Sequence, residues 1–150
     1  MKLYGNLQNR LMEAGREPEK IEVGMGATEF FWSDRHPYEV TKVIDNKHIY
    51  IREMKHIHEG NGVMDNNWRL EPDETRPEIY LVKRGKHWYT TATLTREDVA
   101  DYENWEVERK LWLCHWEFDI NVIREKGKQT RYNRKNIRIG YADYYYDYEY

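Results

Sequence analysis

Apolar and polar residues alternate along three successive stretches in the first third of the chain. Val23 and Met25 alternate with polar residues just before the apolar run 30–32. A second alternating stretch starts at Tyr38, and a third covers residues 49–56. Alternation of this kind is typical of half-buried strands, and turn-forming residues separate the stretches. The pattern therefore predicts three consecutive antiparallel strands, which would start a small barrel or a curled sheet.

Later stretches extend the β-rich pattern. The second predicted strand should have two different faces, with Val43 on one of them. The other face is lined by Tyr38, Val40, Lys42 and Ile44. Farther along, the runs 78–82 and 87–93 flank a turn that contains Gly85. Two β-rich runs on either side of a glycine-containing turn predict a further hairpin.

Three stretches depart from simple alternation. Thr95 stands three residues before Asp98, a capping-box-like start that predicts a short helix. The stretch 107–123 fits both a strand and a helix, and its aromatic and β-branched content favours a strand. The basic, polar residues 127–135 predict a loop. From Ile137 onward, alternating apolar and tyrosine residues predict a last strand.

The length of the chain bounds its domain organisation. A chain of 150 residues is near the commonest size of one domain. Residues 1–20 carry only a thin helical stripe, which predicts an arm or a short helix. Residues 21–150 are predicted to form a single β-rich domain with an insertion at about 95–132. The predicted fold class is mainly β (α+β): a small antiparallel barrel, SH3-like among the options, or a curled sheet, with a short helical insertion.

Composition narrows the class of protein. Leu, Ile, Val and Phe are few, but 6 Trp and 13 Tyr supply enough apolar area for an aromatic core. The formal charge of −3 disfavours general binding to duplex nucleic acid. The single cysteine, Cys114, is expected to be a buried apolar residue. No apolar signal segment or membrane-spanning run is visible, so we expect a cytoplasmic protein.

The turn after the first predicted strand concentrates polar and aromatic side chains. Arg35 could bind phosphate or carboxylate, and a neighbouring aromatic ring could stack on a base. The polar loop 59–67 has the composition of a functional loop. The candidate ligand-binding residues are Trp32, Asp34, Arg35, His36, Tyr38, Asn66 and Asn67. The alternative is a self-satisfied turn, with polar groups bonded to backbone or to each other and aromatic rings in the core.

Two histidines suggest a different chemistry. His56 and His58 lie two residues apart on a predicted strand and could bind a metal, with His36 or His48 as a third ligand. Cys-x-x-Cys and His-Glu-x-x-His spacings are absent from the sequence, so no metal and no cofactor is assigned. The sequence also has no Gly-x-Ser-x-Gly element and no phosphate-binding glycine loop. An enzyme is therefore disfavoured, and an uncharacterised hydrolase ranks third among the functions considered.

A basic stretch near the end of the chain offers a second candidate site. A tyrosine among arginines and lysines is suited to contact single-stranded nucleic acid or RNA. The candidate nucleic-acid-binding residues are Lys128, Arg131, Tyr132, Arg134 and Lys135. The alternative is a solvated loop.

Three stretches together resemble a family of small uncharacterised proteins encoded by bacteriophages and prophages. The first joins Val23-Gly-Met-Gly-Ala-Thr28 with Trp32-Ser-Asp-Arg35 and Tyr38-Glu-Val40; the others are the loop end 61–67 and the close 140–150. In that family the loop asparagines more often precede the Gly-Met pair, so this chain departs there. Residues 95–132 look like an insertion without a counterpart. The resemblance implies a phage accessory protein and identifies no catalytic residue.

The leading hypothesis combines these observations. We expect a non-enzymatic phage accessory protein, cytoplasmic in the infected bacterial host, that counters host defence by binding. Its partner would be a host defence protein, such as a CRISPR effector, or a nucleotide immune signal that the protein sequesters. The runner-up is a small nucleic-acid-binding β-barrel protein. A membrane partner is not expected, and a homo-oligomer is left open.

Overall fold

Nine strands and two helices occur in the residues that this computed structural model describes, 17–60 and 66–146. The strands are β1 (Gly26–Phe30), β2 (Arg35–Asp45), β3 (His48–Glu53), β4 (Lys55–His58), β5 (Trp68–Glu71), β6 (Glu78–Arg84), β7 (His87–Thr95), β8 (Lys128–Lys135) and β9 (Ile137–Gly140), and the helices are α1 (Val107–His115) and α2 (Ile120–Lys126). Most of the predicted arm 1–20, part of the loop 59–67 and the last four residues lie outside the described residues.

An antiparallel sheet of seven strands has the order β8-β7-β6-β3-β2-β1-β9, and β4 pairs with β5 in a small second sheet. Along the chain, β1 pairs with β2 and β2 with β3, both antiparallel. The predicted three-strand meander is therefore confirmed, as is the β6–β7 hairpin. No helix in the described part of the chain is long and apolar enough to cross a membrane.

A bulge in β2 overturns the predicted faces of this strand. The register against β3 shifts between Val40 and Lys42, so Thr41 is an extra residue. The core-facing side therefore changes at the bulge. Val43 packs against the core beyond it, whereas Lys42 and Ile44 point away from the core. The prediction that Lys42 and Ile44 share a face with the buried residues before the bulge is wrong for this reason.

The third predicted strand is interrupted. It ends as β3 at Glu53 and resumes as β4 at Lys55, because Met54 turns aside and donates its backbone N–H to the carbonyl of Pro37 at 3.0 Å. Beyond this point β4 pairs with β5 and no longer with the main sheet. The interruption places the side chains of β4 next to those of β5.

The chain divides into two units, described here one at a time. The first holds residues up to Trp88 and from Lys135 onward, and the second is Tyr89–Arg134. The predicted insertion at 95–132 falls within the second unit. The core of the first unit draws on each of its long strands and on the chain before β1, and it consists of Ile21, Ala27, Tyr38, Val40, Ile49, Ile51, Leu81, Trp88, Ile137 and Ile139.

A single carboxylate shows that the sheet of the first unit curls. Glu17 accepts hydrogen bonds from the Lys83 ammonium (3.1 Å), the Trp88 indole N–H (3.0 Å) and the Ile139 backbone N–H (2.9 Å). Lys83 lies on β6 and Ile139 on β9, the two ends of the order β6-β3-β2-β1-β9. In a flat sheet these strands would be about 19 Å apart. The predicted mainly β fold with a curled sheet or small barrel is confirmed.

The second unit contains both helices, which corrects the predicted strand at 107–123. Trp112 and Cys114 alternate in sequence but are exposed, whereas Leu113 is buried between them. Leu113 of α1, Ile123 of α2 and Phe118 between the two helices are instead buried in a shared core. The expectation that Cys114 is buried is wrong for the same reason.

Two further predictions for this unit are wrong. Thr95 and Asp98 exchange the predicted capping hydrogen bonds, but turns and one 3₁₀ turn (Tyr102–Asn104) follow them, where an α-helix was expected. The residues predicted as a basic loop, 127–135, contain all of β8. Side chains of β8 alternate between exposed and half-buried positions, as in a strand with two different faces. The sequence did not show this, because the residues on both faces are mostly polar.

Candidate functional site

The tip of the β1–β2 hairpin exposes two aromatic side chains. Phe31 donates its backbone N–H to the carbonyl of Asp34 at 2.9 Å, which closes a tight turn. Phe31 is 49% exposed, and Trp32 is 91% exposed. The alternative in which the aromatic rings of this turn belong to the core therefore fails for Trp32. Trp32 is therefore a predicted ligand residue whose side chain is almost fully in solvent.

Arg35, the first residue of β2, makes its contacts within the fold. Its guanidinium lies 3.4 Å from the buried carboxylate of Asp143. The same guanidinium is 6.0 Å from the ring centre of Phe30 and 5.4 Å from that of Tyr145. A phosphate group would have to compete with Asp143 for this side chain.

His36 and Tyr38 also have partners in the fold. His36 Nδ1 lies 3.8 Å from a carboxylate oxygen of Glu53. Tyr38 is buried, and its hydroxyl donates to Glu29 at 2.8 Å. Glu29 pairs in addition with the ammonium of Lys135 at 3.0 Å. Burial and the neighbouring Glu29 carboxylate raise the pKa of Tyr38 well above its usual range. Tyr38 is thus part of the core, away from the hairpin tip.

Residues 141–146, here called the C-terminal segment, return to the β1–β2 hairpin. Thr28 donates its hydroxyl to the carbonyl of Tyr141 at 2.8 Å. At Gly26 an added Cβ would lie 2.5 Å from the backbone nitrogen of Ala142, so only glycine admits this close approach. Arg35 and Tyr145 exchange two backbone hydrogen bonds, at 2.9 and 3.0 Å. The segment therefore pairs with the start of β2 like a short added strand.

The ring of Tyr144 occupies a slot formed by three other rings. It stacks on His56 with 3.7 Å between centroids and 10° between planes. Trp68 meets it edge-on at 4.5 Å, and His36 lies nearly parallel to it at 5.8 Å. His36, His56 and Trp68 are called the ring slot below. They come from β2, β4 and β5, so the slot depends on the break at Met54 that brings β4 and β5 together.

Asn66 binds the backbone of the C-terminal segment. Its amide nitrogen donates to the carbonyl of Tyr146 at 3.1 Å, and its amide oxygen accepts the N–H of the same residue at 2.9 Å. The same oxygen accepts the indole N–H of Trp68 at 3.0 Å. Asn67, in contrast, is exposed, and its carbonyl accepts the backbone N–H of Glu59 at 2.8 Å. We call the surface made by Asn66, the ring slot and the start of β2 the C-terminal groove.

The predicted ligand residues therefore do not form one site. Arg35, His36 and Asn66 meet at the C-terminal groove. Trp32 and Asp34 lie in the hairpin turn, whereas Tyr38 is in the core and Asn67 is exposed. Sequence reasoning missed Tyr144 and Trp68 as parts of this arrangement. The tyrosine-rich ending and the alternating His56 and His58 were visible signals, but no local pattern connects them.

His56 and His58 lie on the same side of β4, as predicted. Both rings contact Trp68, at 5.2 and 4.8 Å between centroids. Burial of its ring lowers the pKa of His56, and the charge of His36 lowers it further. Within residues 17–60 and 66–146, no group of three or more His, Cys, Asp or Glu side chains is arranged to hold a metal ion.

The predicted nucleic-acid-binding residues divide between the two faces of β8. Lys128, Tyr132 and Arg134 are exposed, and we call this set the β8 face. Arg131 is half-buried and pairs with Glu117 at 3.0 Å. Lys135 is also half-buried, held by Glu29. Alternation along the strand thus keeps three of the five predicted residues on one surface.

Comparisons with protein-family models, curated proteins and solved structures find no match to this chain.

Proposed function

We propose that this chain is a non-enzymatic binding protein that anchors itself to a partner protein through Trp32. The observation that carries the proposal is the 91% exposure of this indole at the tip of a closed hairpin turn. Tryptophan is among the residues most buried on average, and it is enriched among the side chains that dominate binding energy at protein interfaces. An apolar pocket on a partner would cover it.

The hairpin holds this anchor in one place. β1 and β2 are paired along five residue pairs, from Gly26 with Glu39 to Phe30 with Arg35. The turn hydrogen bond between Phe31 and Asp34 then limits the freedom of the tip. A preorganised anchor loses little conformational entropy when it binds, which favours affinity.

The proposed partner is a host defence protein, and the proposed role is that of a phage accessory protein. The resemblance of the segments around Gly24, Trp32 and the loop end 61–67 to phage proteins supports this choice. Sequestration of a nucleotide signal receives less support, because the guanidinium of Arg35 already faces Asp143 and two aromatic rings. A host protein such as a CRISPR effector is therefore the partner class we propose.

Phage plating on defended hosts tests this function. The chain would be expressed in a panel of bacterial strains that each carry one active defence system, with CRISPR effectors included. We expect wild type to raise the plating of a targeted phage in at least one strain. Trp32→Ala should remove most of that gain, because loss of a tryptophan anchor costs about 2 kcal/mol, roughly a 30-fold weaker Kd for the purified effector.

A matched variant separates the anchor from general surface effects. Ile44 is an exposed apolar residue of the same unit, so Ile44→Ala should protect the phage as well as wild type does. Equal protection by Trp32→Ala would contradict the anchoring role. Failure of wild type in every strain would contradict the anti-defence role.

The β8 face supports a second candidate function, binding of single-stranded nucleic acid. The exposed positions of the edge strand β8 include Lys128, Tyr132 and Arg134, which are four and two residues apart. The two cations, about 20 Å apart, therefore lie on either side of an exposed ring. Rings of this kind stack on bases, and the cations would contact the phosphates.

Fluorescence anisotropy with a labelled oligothymidine tests the second function. Tyr132→Ala should weaken binding about tenfold, as expected for the loss of one stacked base. Changing both Lys128 and Arg134 to alanine should reduce the magnitude of the slope of log K against log salt concentration by about 1.4. Lys86→Ala, at an exposed turn, is the matched charge control. Binding that responds equally to all of these variants would argue against the β8 face.

A further inference from the structure

The structure assigns to the C-terminal groove the recognition of an extended peptide, and we propose that it exchanges C-terminal segments between two copies of this chain. In the structure the groove is filled by residues 143–146 of the same chain. The same contacts would form if the segment came from a second copy. This surface is separate from the Trp32 anchor, and the proposal does not depend on it.

Backbone contacts show that the groove binds its segment in an extended conformation. Arg35 and Tyr145 form a two-way antiparallel bridge at 2.9 and 3.0 Å. One residue farther along, Asn66 satisfies both the N–H and the carbonyl of Tyr146. Strand addition to an exposed edge uses this kind of main-chain pairing for affinity. The contacts require an extended backbone and no particular side chain at these two positions.

Side-chain contacts supply the selectivity. The carboxylate of Asp143 faces the Arg35 guanidinium at 3.4 Å, so the groove prefers an acidic residue there. The next residue, Tyr144, fills the ring slot, with its ring against His56 and Trp68. An acid followed by an aromatic residue is therefore the sequence that the groove selects. A second copy of this chain carries both the groove and the matching segment.

The position of the segment favours exchange. The chain leaves β9 at Gly140, and residues 141–146 then make their contacts with β1, β2, β4 and the start of β5. Exchange of this segment costs few contacts, because each contact is made again in the dimer. Within one chain, the segment is present at its own groove at an effective concentration of roughly millimolar. Exchanged dimers should therefore appear as the protein concentration approaches that value.

A pair of complementary variants tests the exchange. The donor carries Asn66→Ala and Trp68→Ala, which weaken its groove and leave its segment intact. The acceptor carries Asp143→Ala and Tyr144→Ala, which weaken its segment and leave its groove intact. Native mass spectrometry should show each variant as a monomer alone and a one-to-one complex after mixing. A peptide with the sequence of residues 141–146 should suppress that complex, whereas the same peptide with both changes of the acceptor should not.

Two results would overturn the proposal. One is a mixture of folded variants, verified by circular dichroism, that stays monomeric. The second comes from sedimentation of the wild-type chain, which remains decisive if a variant does not fold. The proposal predicts a dimer fraction that rises as the protein approaches about 1 mM. A wild-type chain that is strictly monomeric there, with or without the peptide, would contradict the exchange.

Discussion

The hairpin tip and the C-terminal groove each carry a tryptophan, but the groove packs Trp68 against other aromatic rings and the tip leaves Trp32 in solvent. Trp68 in the groove is half-buried and donates its indole N–H to Asn66 at 3.0 Å. Trp32 at the tip is 91% exposed. The groove is covered because a segment about 80 residues later in the chain returns to it. Coverage of an aromatic side chain here depends on a distant part of the chain.

This difference separates stability from binding. A covered ring contributes to the folded state through the contacts that it makes, whereas an exposed ring contributes little until a partner covers it. Substitutions around the C-terminal segment should therefore lower the free energy of unfolding, and substitutions at the tip should leave it nearly unchanged. Three predictions test this contrast.

The largest effect is expected for Gly26→Ala, which should displace the backbone of the C-terminal segment where it packs against Gly26. The added Cβ would lie 2.5 Å from the nitrogen of Ala142 and 2.8 Å from the carbonyl carbon of Tyr141, and backbone atoms cannot give way as a side chain can. We expect the free energy of unfolding in urea to fall by about 3 kcal/mol, the upper end of the usual cost of overpacking.

Gly24→Ala is the matched control for this prediction. The φ angle of Gly24 is 95°, but nothing lies within 4 Å of the added Cβ. Its cost should be limited to backbone strain of about 1 kcal/mol. If the two variants lose the same stability, close approach of the C-terminal segment does not explain the glycine at position 26.

The next effect compares the two tryptophans directly. Trp68→Ala removes the edge-on contact with Tyr144 and the hydrogen bond to Asn66, and it should cost about 2 kcal/mol, less than for a fully buried tryptophan. Trp32→Ala should change the free energy of unfolding by less than about 0.5 kcal/mol. Thermal or urea unfolding of both variants measures the difference. A destabilising Trp32→Ala would show that the tip has a structural role and would weaken the case for a binding anchor.

Sequence patterns predicted the part of the fold that depends on local order. Alternation and turn residues identified β1, β2, β3 and the β6–β7 hairpin. The prediction of a strand at 107–123 was wrong, because these residues fit two periods and burial of Leu113, Phe118 and Ile123 in a common core accompanies the helical one. The bulge at Thr41 was equally invisible, since one extra residue changes the face of a strand without changing its composition.

The candidate sites show the same limit. The turn around Trp32 was recognised because its residues are adjacent in sequence. The partners of Arg35, His36 and Asn66 were not, because each is 80 or more residues away in the C-terminal segment. On β8, alternation along the strand decides which members of the predicted basic set are exposed.

The smallest predicted effect concerns pH and the ring slot. Burial lowers the pKa of His56, the charge of His36 lowers it further, and the nearby carboxylate of Glu53 acts in the opposite direction. Arg76, whose guanidinium lies 3.4 Å from Glu53, also lowers it. The unfolded chain therefore binds a proton at this histidine more readily than the folded chain does. Stability should fall as the pH drops from about 6.5, the ordinary histidine value, toward the lowered pKa of the folded state.

Urea unfolding at about pH 7.5 and about pH 5 measures this effect. His56→Gln removes the titrating group, so the variant should lose less stability between the two pH values than wild type. His48→Gln is the control, because His48 is paired with Asp45 at 2.8 Å in an exposed turn outside the groove, and it should leave the contribution of His56 in place. Equal losses in wild type and His56→Gln would mean that protonation of the ring slot does not loosen the C-terminal segment. A smaller loss in the variant would identify the groove, and not the hairpin tip, as the part of the molecule that responds to acid.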